Sequence, residues 1–288
     1  MVEKDIDAKT DEPNFDRLTE LAWQMGTSQP QEDMLWQVGE NEAKHFAFKA
    51  FKRIHLLEQE ARKPLLERIT PTDIKDTRWA WNLSAPGTFF LPIKDDRYAG
   101  FPYTRWWDAK QIKYAAGFAI IVGRQRAGFP AVGKLSEDQL SESINKAPIL
   151  IYNGRDDENR DLERAINEGR LPYGFPIQKV HIINTKLGKK FNSLGQVQNL
   201  TVPSGEKPSE GELMALFARP AQILRVLHKL NEEKNRFPKG VRLKPFPVRT
   251  SRGGLYDHWI REVCGLWYYR YSSGDAAEEP YPIHGNIF

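Results

Sequence analysis

The sequence predicts an α/β protein in which a Rossmann-like parallel sheet has helices on both faces and follows an N-terminal helical layer. From about residue 116 onward, short apolar runs alternate with segments whose apolar residues fall at helical spacing. Strands that are apolar throughout are typical of a parallel sheet covered on each side. The spacing of Ala47, Phe51 and Ile54 predicts the preceding helical layer.

This pattern divides the chain into three regions. Residues 1–75 form the predicted helical region, residues 76–115 an aromatic and Pro-rich connecting segment, and residues 116–288 the Rossmann-like domain. We expect the connecting segment to form a long loop or short hairpins, because its prolines and glycines interrupt any helix. The predicted strands are "GFAIIVG" at 117–123, "APILIYNG" at 147–154, "QKVHIIN" at 178–184, "ELMALFA" at 212–218 and "VRLKPFPV" at 241–248.

The composition argues against several classes of protein. The 288 residues carry a formal net charge of +4, a basic excess too dilute to indicate nucleic-acid binding by itself. No apolar run approaches the roughly 20 residues of a spanning helix, and the acidic opening "MVEKDIDAKTDEPNFD" does not resemble a secretory signal. We therefore expect a cytoplasmic protein without a membrane segment. A single cysteine, Cys264, and scattered histidines support neither an internal disulfide nor a metal site.

Polar residues that follow predicted strands are candidate ligand contacts, because open parallel sheets bind ligands beyond the carboxyl ends of their strands. Gly123 and Arg124 follow the first strand and would form a basic loop or only a solvated turn. Asn153, Gly154 and Arg155 follow the second, where Asn-Gly permits a tight turn and the guanidinium could hold an anion. Acidic residues at 156–158 are explained as helix-start residues that offset the helix dipole.

Two further groups of polar residues lie near predicted helix starts. Asn192, Ser193 and Gln196 offer fixed donors and acceptors, although helix capping explains the first two as well. Gln222 and Arg225 follow the fourth strand and share one helix face, because residues three positions apart do so. The sequence therefore predicts one pocket along the carboxyl edge of the sheet.

Taken in order, these segments resemble the SanA/YdcF-like family of Rossmann-like proteins, over roughly residues 116–271. "ILIYNGR" is similar to the family's second strand, and Asn192-Ser193 stands at its Asn-Thr pair. "ARPAQILR" is similar to its His-and-Arg element, while "LKPFPV" and "WIREVCGLWYYR" are similar to its last strand and helix. The resemblance implies a Rossmann-like fold, and it adds Glu163 to the site because this residue stands near the family's Glu-Ala pair.

The departures from the family pattern bear on function. Gln222 stands where the family has His, and an amide cannot replace a titrating acid or base, whereas Arg225 is retained. Nucleotide-like ligands such as S-adenosylmethionine have been proposed for some members of the family. The resemblance therefore favours a ligand-binding role over proton-transfer catalysis.

Our leading hypothesis is a small-molecule site for an anionic, nucleotide-like or S-adenosylmethionine-like ligand, in a transferase or hydrolase if the protein is an enzyme. The alternative is a catalytically silent adaptor that binds a protein partner through its N-terminal helices and aromatic segment. Nucleic-acid binding through Trp106 and Trp107 is a weaker third hypothesis, because no recognised module accompanies these aromatics.

Overall fold

A computed structural model gives the fold of most of the chain. The residues that it describes are 12–28, 32–83, 103–154, 163–164, 167–168, 175–184, 209–232, 234, 237, 239–249 and 255–288. The helices in these ranges are α1 (Phe15–Thr27), α2 (Glu32–Val38), α3 (Glu40–Arg62), α4 (Leu65–Arg68), α5 (Pro71–Asp76), α6 (Tyr103–Arg126), α7 (Glu137–Lys146), α8 (Pro220–Glu232) and α9 (Leu255–Trp267). The strands are β1 (Thr77–Leu83), β2 (Ile149–Gly154), β3 (Val180–Asn184), β4 (Leu213–Ala218) and β5 (Arg242–Pro247).

The five strands form one all-parallel sheet in the order β3-β2-β1-β4-β5. The chain runs outward from β1 through β2 to β3, and β4 then pairs with the opposite side of β1. Such a reversal is the topological switch point of open α/β sheets. The predicted α/β class with a Rossmann-like parallel sheet flanked by helices is confirmed.

The predicted strand at 117–123 is wrong, because these residues belong to the 24-residue helix α6. The buried residues of this helix include Ala115, Phe118, Ala119 and Val122, which recur three or four positions apart as on a helix face. Nearly every residue of "GFAIIVG" is apolar, so alternation could not separate a strand from a buried helix. Helix α6 also spans the predicted boundary at residue 115.

The central strand of the sheet lies in the region that the sequence assigned to a connecting segment. Strand β1 comprises "TRWAWNL", in which Trp79 and Trp81 are fully buried. The prediction of a loop or hairpins is therefore wrong for residues 77–83, which form a strand. It is also wrong for residues 103–115 at the end of the segment, which form a helix. The turn-forming residues 84–100, on which that prediction depended, lie outside the described residues.

One face of the sheet packs against α6 around three aromatic rings. Phe118 of α6 lies with its ring centroid 5.3 Å from that of Phe217 in β4 and 4.7 Å from that of Phe246 in β5. The Phe217 and Phe246 rings are stacked at 5.4 Å. All three side chains are buried, and their contacts join the helix to two neighbouring strands.

A buried ion pair joins helix α5, which directly precedes β1, to strand β5. Thr70 and Asp73 form a capping box at the start of α5, in which the Asp73 carboxylate accepts from the Thr70 amide at 2.7 Å. The same carboxylate accepts from Nζ of Lys244 in β5 at 2.5 Å. Asp73 is fully buried, so its charge depends on these donors for compensation.

The chain divides into two compact units that are not contiguous in sequence. The helical unit comprises Met1–Arg62, Arg219–Lys234 and Arg249–Phe288, and the sheet unit comprises Lys63–Ala218 and Asn235–Val248. In the helical unit, α1 and α3 pack with α8 and α9. Trp267 at the end of α9 donates its indole N–H to the Ala43 carbonyl of α3 at 3.1 Å. The predicted N-terminal helices are thus built into a core with late segments of the chain.

Helices α6 and α3 are the longest of the described residues, at 24 and 23 residues. Neither they nor the other helices in the described ranges combine the length and apolar character needed to cross a membrane.

Candidate functional site

In the sheet unit, two predicted site residues lie at the carboxyl edge of the sheet. Asn153 and Gly154 end strand β2. Asn153 is paired in register with Leu83, the last residue of β1, and Gly154 with Asn184, the last residue of β3. The Asn153 side chain is fully buried. These two positions lie where ligands approach sheets of this class.

Asn82 is a polar residue at the same edge that the sequence reasoning missed. It lies one residue before the end of β1, in register with Tyr152 of β2 and Phe217 of β4, at the switch point of the sheet. Its side chain is completely buried, and neither amide atom has a hydrogen-bond partner in the structure. The sequence signal for Asn82 was a polar residue near the end of the apolar run "TRWAWNL". It was overlooked because this segment was predicted to be a loop.

Gly123 and Arg124 do not lie at the carboxyl edge, and this part of the predicted site is wrong. Both belong to the last turn of α6 rather than to a strand end. Arg124 donates to the carbonyls of Pro130 at 2.7 Å and Gly133 at 3.1 Å, which anchors the following loop. A Cβ at position 123 would lie 2.0 Å from the Ser143 carbonyl oxygen of α7, so Gly123 permits close helix packing.

The remaining residues predicted from the sheet unit cannot be joined to this edge. Arg155, Asn192, Ser193 and Gln196 lie outside the described residues. Glu163 lies in a short helical stretch and its side chain is exposed.

In the helical unit, Gln222 and Arg225 of α8 lie in a row of polar side chains that we call the polar stripe. Directly before and within α8 the polar stripe consists of residues three or four positions apart, and the facing residues of α9 and the turn after it lie four and seven positions apart. Its members are Arg219, Gln222, Arg225 and Lys229 on the first side and His258, Glu262 and Tyr269 on the second. Helices α8 and α9 are in contact.

Arg225 is held against α9 by an ion pair. Its Nη1 lies 2.8 Å from Oε2 of Glu262. A Cβ atom at position 265, which is Gly265, would lie 3.7 Å from the same nitrogen. Both partners are nearly buried, with side-chain exposures of 11% for Arg225 and 9% for Glu262. The Nε–H of Arg225 has no hydrogen-bond partner in the structure. The guanidinium is therefore fixed in position while retaining an unused donor.

Gln222 is the least satisfied residue of the polar stripe. Its side chain is 1% exposed, and neither the amide oxygen nor the amide nitrogen has a hydrogen-bond partner in the structure. Further along α8, Nζ of Lys229 lies 3.5 Å from the ring centroid of Tyr269, a cation–π contact. A fully buried amide without partners costs about 1–3 kcal/mol, so a bound group that supplied them would stabilise the protein.

The titratable groups near the polar stripe are poorly suited to proton transfer at neutral pH. Burial lowers the pKa of His258 to about 4, with Arg219 and Arg225 acting in the same direction and Glu262 against them. Burial also raises the pKa of the Cys264 thiol to about 12, which leaves it protonated and weakly nucleophilic. Among the described residues, no group of three or more His, Cys, Asp or Glu side chains could hold a metal ion.

We expect the protein to lose stability as the pH falls from about 6.5 to about 4. Burial lowers the pKa of His228 to about 4 although its Nδ1–H donates to the Ala277 carbonyl, and the pKa of His258 falls equally. Between these pH values the unfolded chain binds protons that the folded protein does not. Each histidine therefore lowers the unfolding free energy by up to roughly 3 kcal/mol. Guanidinium titrations at a series of pH values measure this loss.

The control for this pH dependence is the variant His228→Gln. It should remove close to one bound proton from the slope of unfolding free energy against pH between pH 4 and 6.5. An identical slope in the wild type and His228→Gln would contradict the assignment.

Comparison of the chain with known protein families, with curated proteins and with solved structures finds no match in any of the three.

Proposed function

We propose that the protein binds a small anionic molecule of the nucleotide or S-adenosylmethionine class at the polar stripe of the helical unit. The observation that carries the proposal is the buried amide of Gln222, whose donor and acceptor have no hydrogen-bond partner. Buried polar groups are paired in most cases in folded proteins, so an amide with neither atom paired calls for an explanation, and a bound molecule is one. A ligand with both acceptors and donors would satisfy this amide.

The neighbours of Gln222 support an anionic ligand. Arg219 and Arg225 lie three residues before and after it on the same helix face. The ion pair to Glu262 orients the Arg225 guanidinium and leaves its Nε–H unused. Guanidinium groups bind carboxylates and phosphates through fixed pairs of donors, and orienting them beforehand reduces the entropy lost on binding.

The chemistry of the polar stripe supports binding more than catalysis. Gln222 does not titrate, and the pKa of about 4 leaves His258 uncharged at neutral pH. Membership of the SanA/YdcF-like family, a cytoplasmic location and the adaptor role of the N-terminal helices stay predictions from the sequence. A ligand-binding protein without a reaction of its own is compatible with all of them.

The variant Gln222→Leu tests the proposal, because stability and binding should change in opposite directions. Leu has a similar volume and no polar atoms, so the unliganded protein should gain about 1–2 kcal/mol of unfolding free energy. Binding of the cognate ligand should weaken at least tenfold, because its partners in the amide are removed. Calorimetric titration of ATP, ADP, AMP and S-adenosylmethionine into wild type and variant measures the second effect, and guanidinium unfolding the first.

Leu224→Met is the matched control, a volume-conserving change of a buried residue on the same helix. It should leave the affinity unchanged. The proposal is wrong if none of these molecules binds the wild-type protein, or if Gln222→Leu binds them as tightly as the wild type does.

A second candidate is a polar ligand group bound in the sheet unit at the switch point. The unpaired amide of Asn82 at the carboxyl end of β1 favours it, as does the neighbouring end of β2 at Asn153 and Gly154. Asn82→Leu in the same titrations separates the two candidates. Loss of affinity in this variant but not in Gln222→Leu would assign the ligand to the sheet edge.

A further inference from the structure

We propose that the sheet unit contains a second anion site, at the amino edge of the sheet, which takes a small phosphorylated molecule. The site is a half-open cavity of about 470 Å³, a volume within the range of small-molecule pockets. Arg78, Ile149 and His181, which line it, are the second, first and second residues of β1, β2 and β3. The cavity therefore lies at the edge opposite to the one at which ligands of this fold class usually bind.

The cavity is lined by basic and hydrogen-bonding side chains. None of the described residues that line it is acidic, and Lys146 also pairs with Glu142 outside the lining, at 2.9 Å. The basic and hydrogen-bonding lining residues are Arg78, Arg126, Lys146, Lys179, Gln178 and His181. They come from the start of β1, the end of α6, the end of α7, the 3₁₀ turn Ile177–Lys179 and β3. Cationic groups from four separate segments therefore meet in one place.

Two of the cations are held in position by backbone carbonyls. Nζ of Lys179 donates to the carbonyls of Asn145 at 2.6 Å and Ala147 at 2.7 Å. Arg126 donates to the Ile74 carbonyl at 2.6 Å and to the Thr77 carbonyl at 2.7 Å, among others. An ammonium has three N–H groups, so Lys179 retains one donor for a ligand. These charges are fixed before any ligand arrives, which lowers the cost of binding.

The electrostatics of the cavity favour the arrival of an anion. Burial lowers the pKa of Lys179, and the charges of Arg78 and Arg126 lower it further. Burial and Arg78 also lower the pKa of Arg126, against the opposing effect of Asp76. Asp76 itself forms an ion pair with Arg242. Cations that repel one another across a partly buried space are stabilised by a group of opposite charge between them.

The hydrogen-bond donors of the cavity favour a phosphate group over a simple anion such as chloride. Arg78 carries the planar pairs of N–H groups that match phosphate oxygens, and the lysines add point charges. Arg126 has one N–H beyond its four bonds to backbone carbonyls and contributes mainly its charge. Gln178 and His181 also line the cavity and offer further hydrogen bonds to the rest of a small molecule. A volume of about 470 Å³ has room for a phosphate together with a sugar-sized or similar group.

The test uses inorganic pyrophosphate and a signal that is local to the cavity. The ¹H–¹⁵N resonances of the His181 imidazole, assigned with the variant His181→Gln, are followed during titration of the full chain at constant ionic strength. Saturable shifts of this signal are expected with pyrophosphate and not with chloride. Gln222→Leu should leave these shifts unchanged, so this proposal and the proposed function can fail independently.

Arg78→Gln and Lys146→Gln are the test variants, because both side chains are exposed and neither removes a carbonyl bond of Arg126 or Lys179. Each should weaken pyrophosphate binding on the order of tenfold. Lys134→Gln, an exposed lysine of the same unit outside the cavity lining, is the matched control and should bind as the wild type does. A His181 signal that does not respond, or equal affinities in the test and control variants, overturns the proposal.

Discussion

Asp73→Ala is expected to lower the unfolding free energy of the sheet unit by about 3–5 kcal/mol. The substitution leaves the Lys244 ammonium in a buried position, 11% exposed, without its carboxylate partner. It also removes the acceptor of the Thr70 amide in the capping box of α5, whose loss alone costs about 1 kcal/mol. Hydrogen exchange of the amides of β1 and β5 measures the effect where it arises.

A double variant separates the charge from the packing. Asp73→Asn with Lys244→Met removes both charges and keeps side chains of similar volume, so it should be more stable than Asp73→Asn alone. Equal unfolding free energies of the single and double variants would show that the ion pair between α5 and β5 does not contribute to stability. Lys113→Met, on the exposed side of α6, is the control for removing a lysine charge in the same unit.

Phe118→Ala is expected to lower the unfolding free energy by about 3–5 kcal/mol. Phe118 is fully buried and its ring contacts those of Phe217 and Phe246. Removing the ring leaves a cavity between α6 and two strands that are hydrogen-bonded to each other, and such a site collapses poorly. Chemical denaturation of the purified variant measures the loss, which is a large part of the 5–15 kcal/mol typical of a domain.

Phe118→Leu is the graded comparison for this prediction and should cost clearly less, because it retains most of the apolar volume. Ala119→Asp is a second test at the neighbouring position, because it places a charged group at a fully buried site. In helix α6 both Phe118 and Ala119 are buried, so both changes should be strongly destabilising.

The parallel sheet could be predicted because β2 to β5 are short apolar runs bounded by polar or turn-forming residues. Burial of β2, β4 and β5 on both faces removes alternation, yet the length of five or six residues distinguishes β2 to β5 from helices. The same criterion failed for "GFAIIVG", which is only the apolar end of a much longer helix whose first half is aromatic and charged. The seven residues 117–123 taken alone could not show that they belong to a helix of 24 residues, whose packing decides the structure of this segment.

Strand β1 was missed for the opposite reason. "TRWAWNL" has the aromatic composition of a strand, but the Pro- and Gly-rich residues that follow it determined the interpretation of the whole segment. The central position of this strand depends on β2 and β4, both distant in sequence. Because pairing partners decide which strand is central, local composition could not have indicated it.

The candidate site was predicted in part. Gln222 and Arg225 were chosen because residues three apart share a helix face, and both lie in the polar stripe. Their partners Glu262 and His258 are more than 30 residues further along and were read only as part of an amphipathic helix. The unpaired state of Gln222 and Asn82 is a property of the packed structure. No spacing rule on the sequence can report which buried amides lack a partner.

The division of the helical unit among three stretches of chain has a consequence for biosynthesis. Helices α1 and α3 complete their core with α8 and α9, and α9 begins about 190 residues after α3 ends. At about 5–20 residues per second, a ribosome needs roughly 10–40 s to synthesise that distance. Throughout this time Trp23 lacks its contact with Trp267 of α9, and Phe46 lacks its contact with His228 of α8. The nascent N-terminal segment is therefore expected to depend on chaperones until translation of α9 is complete.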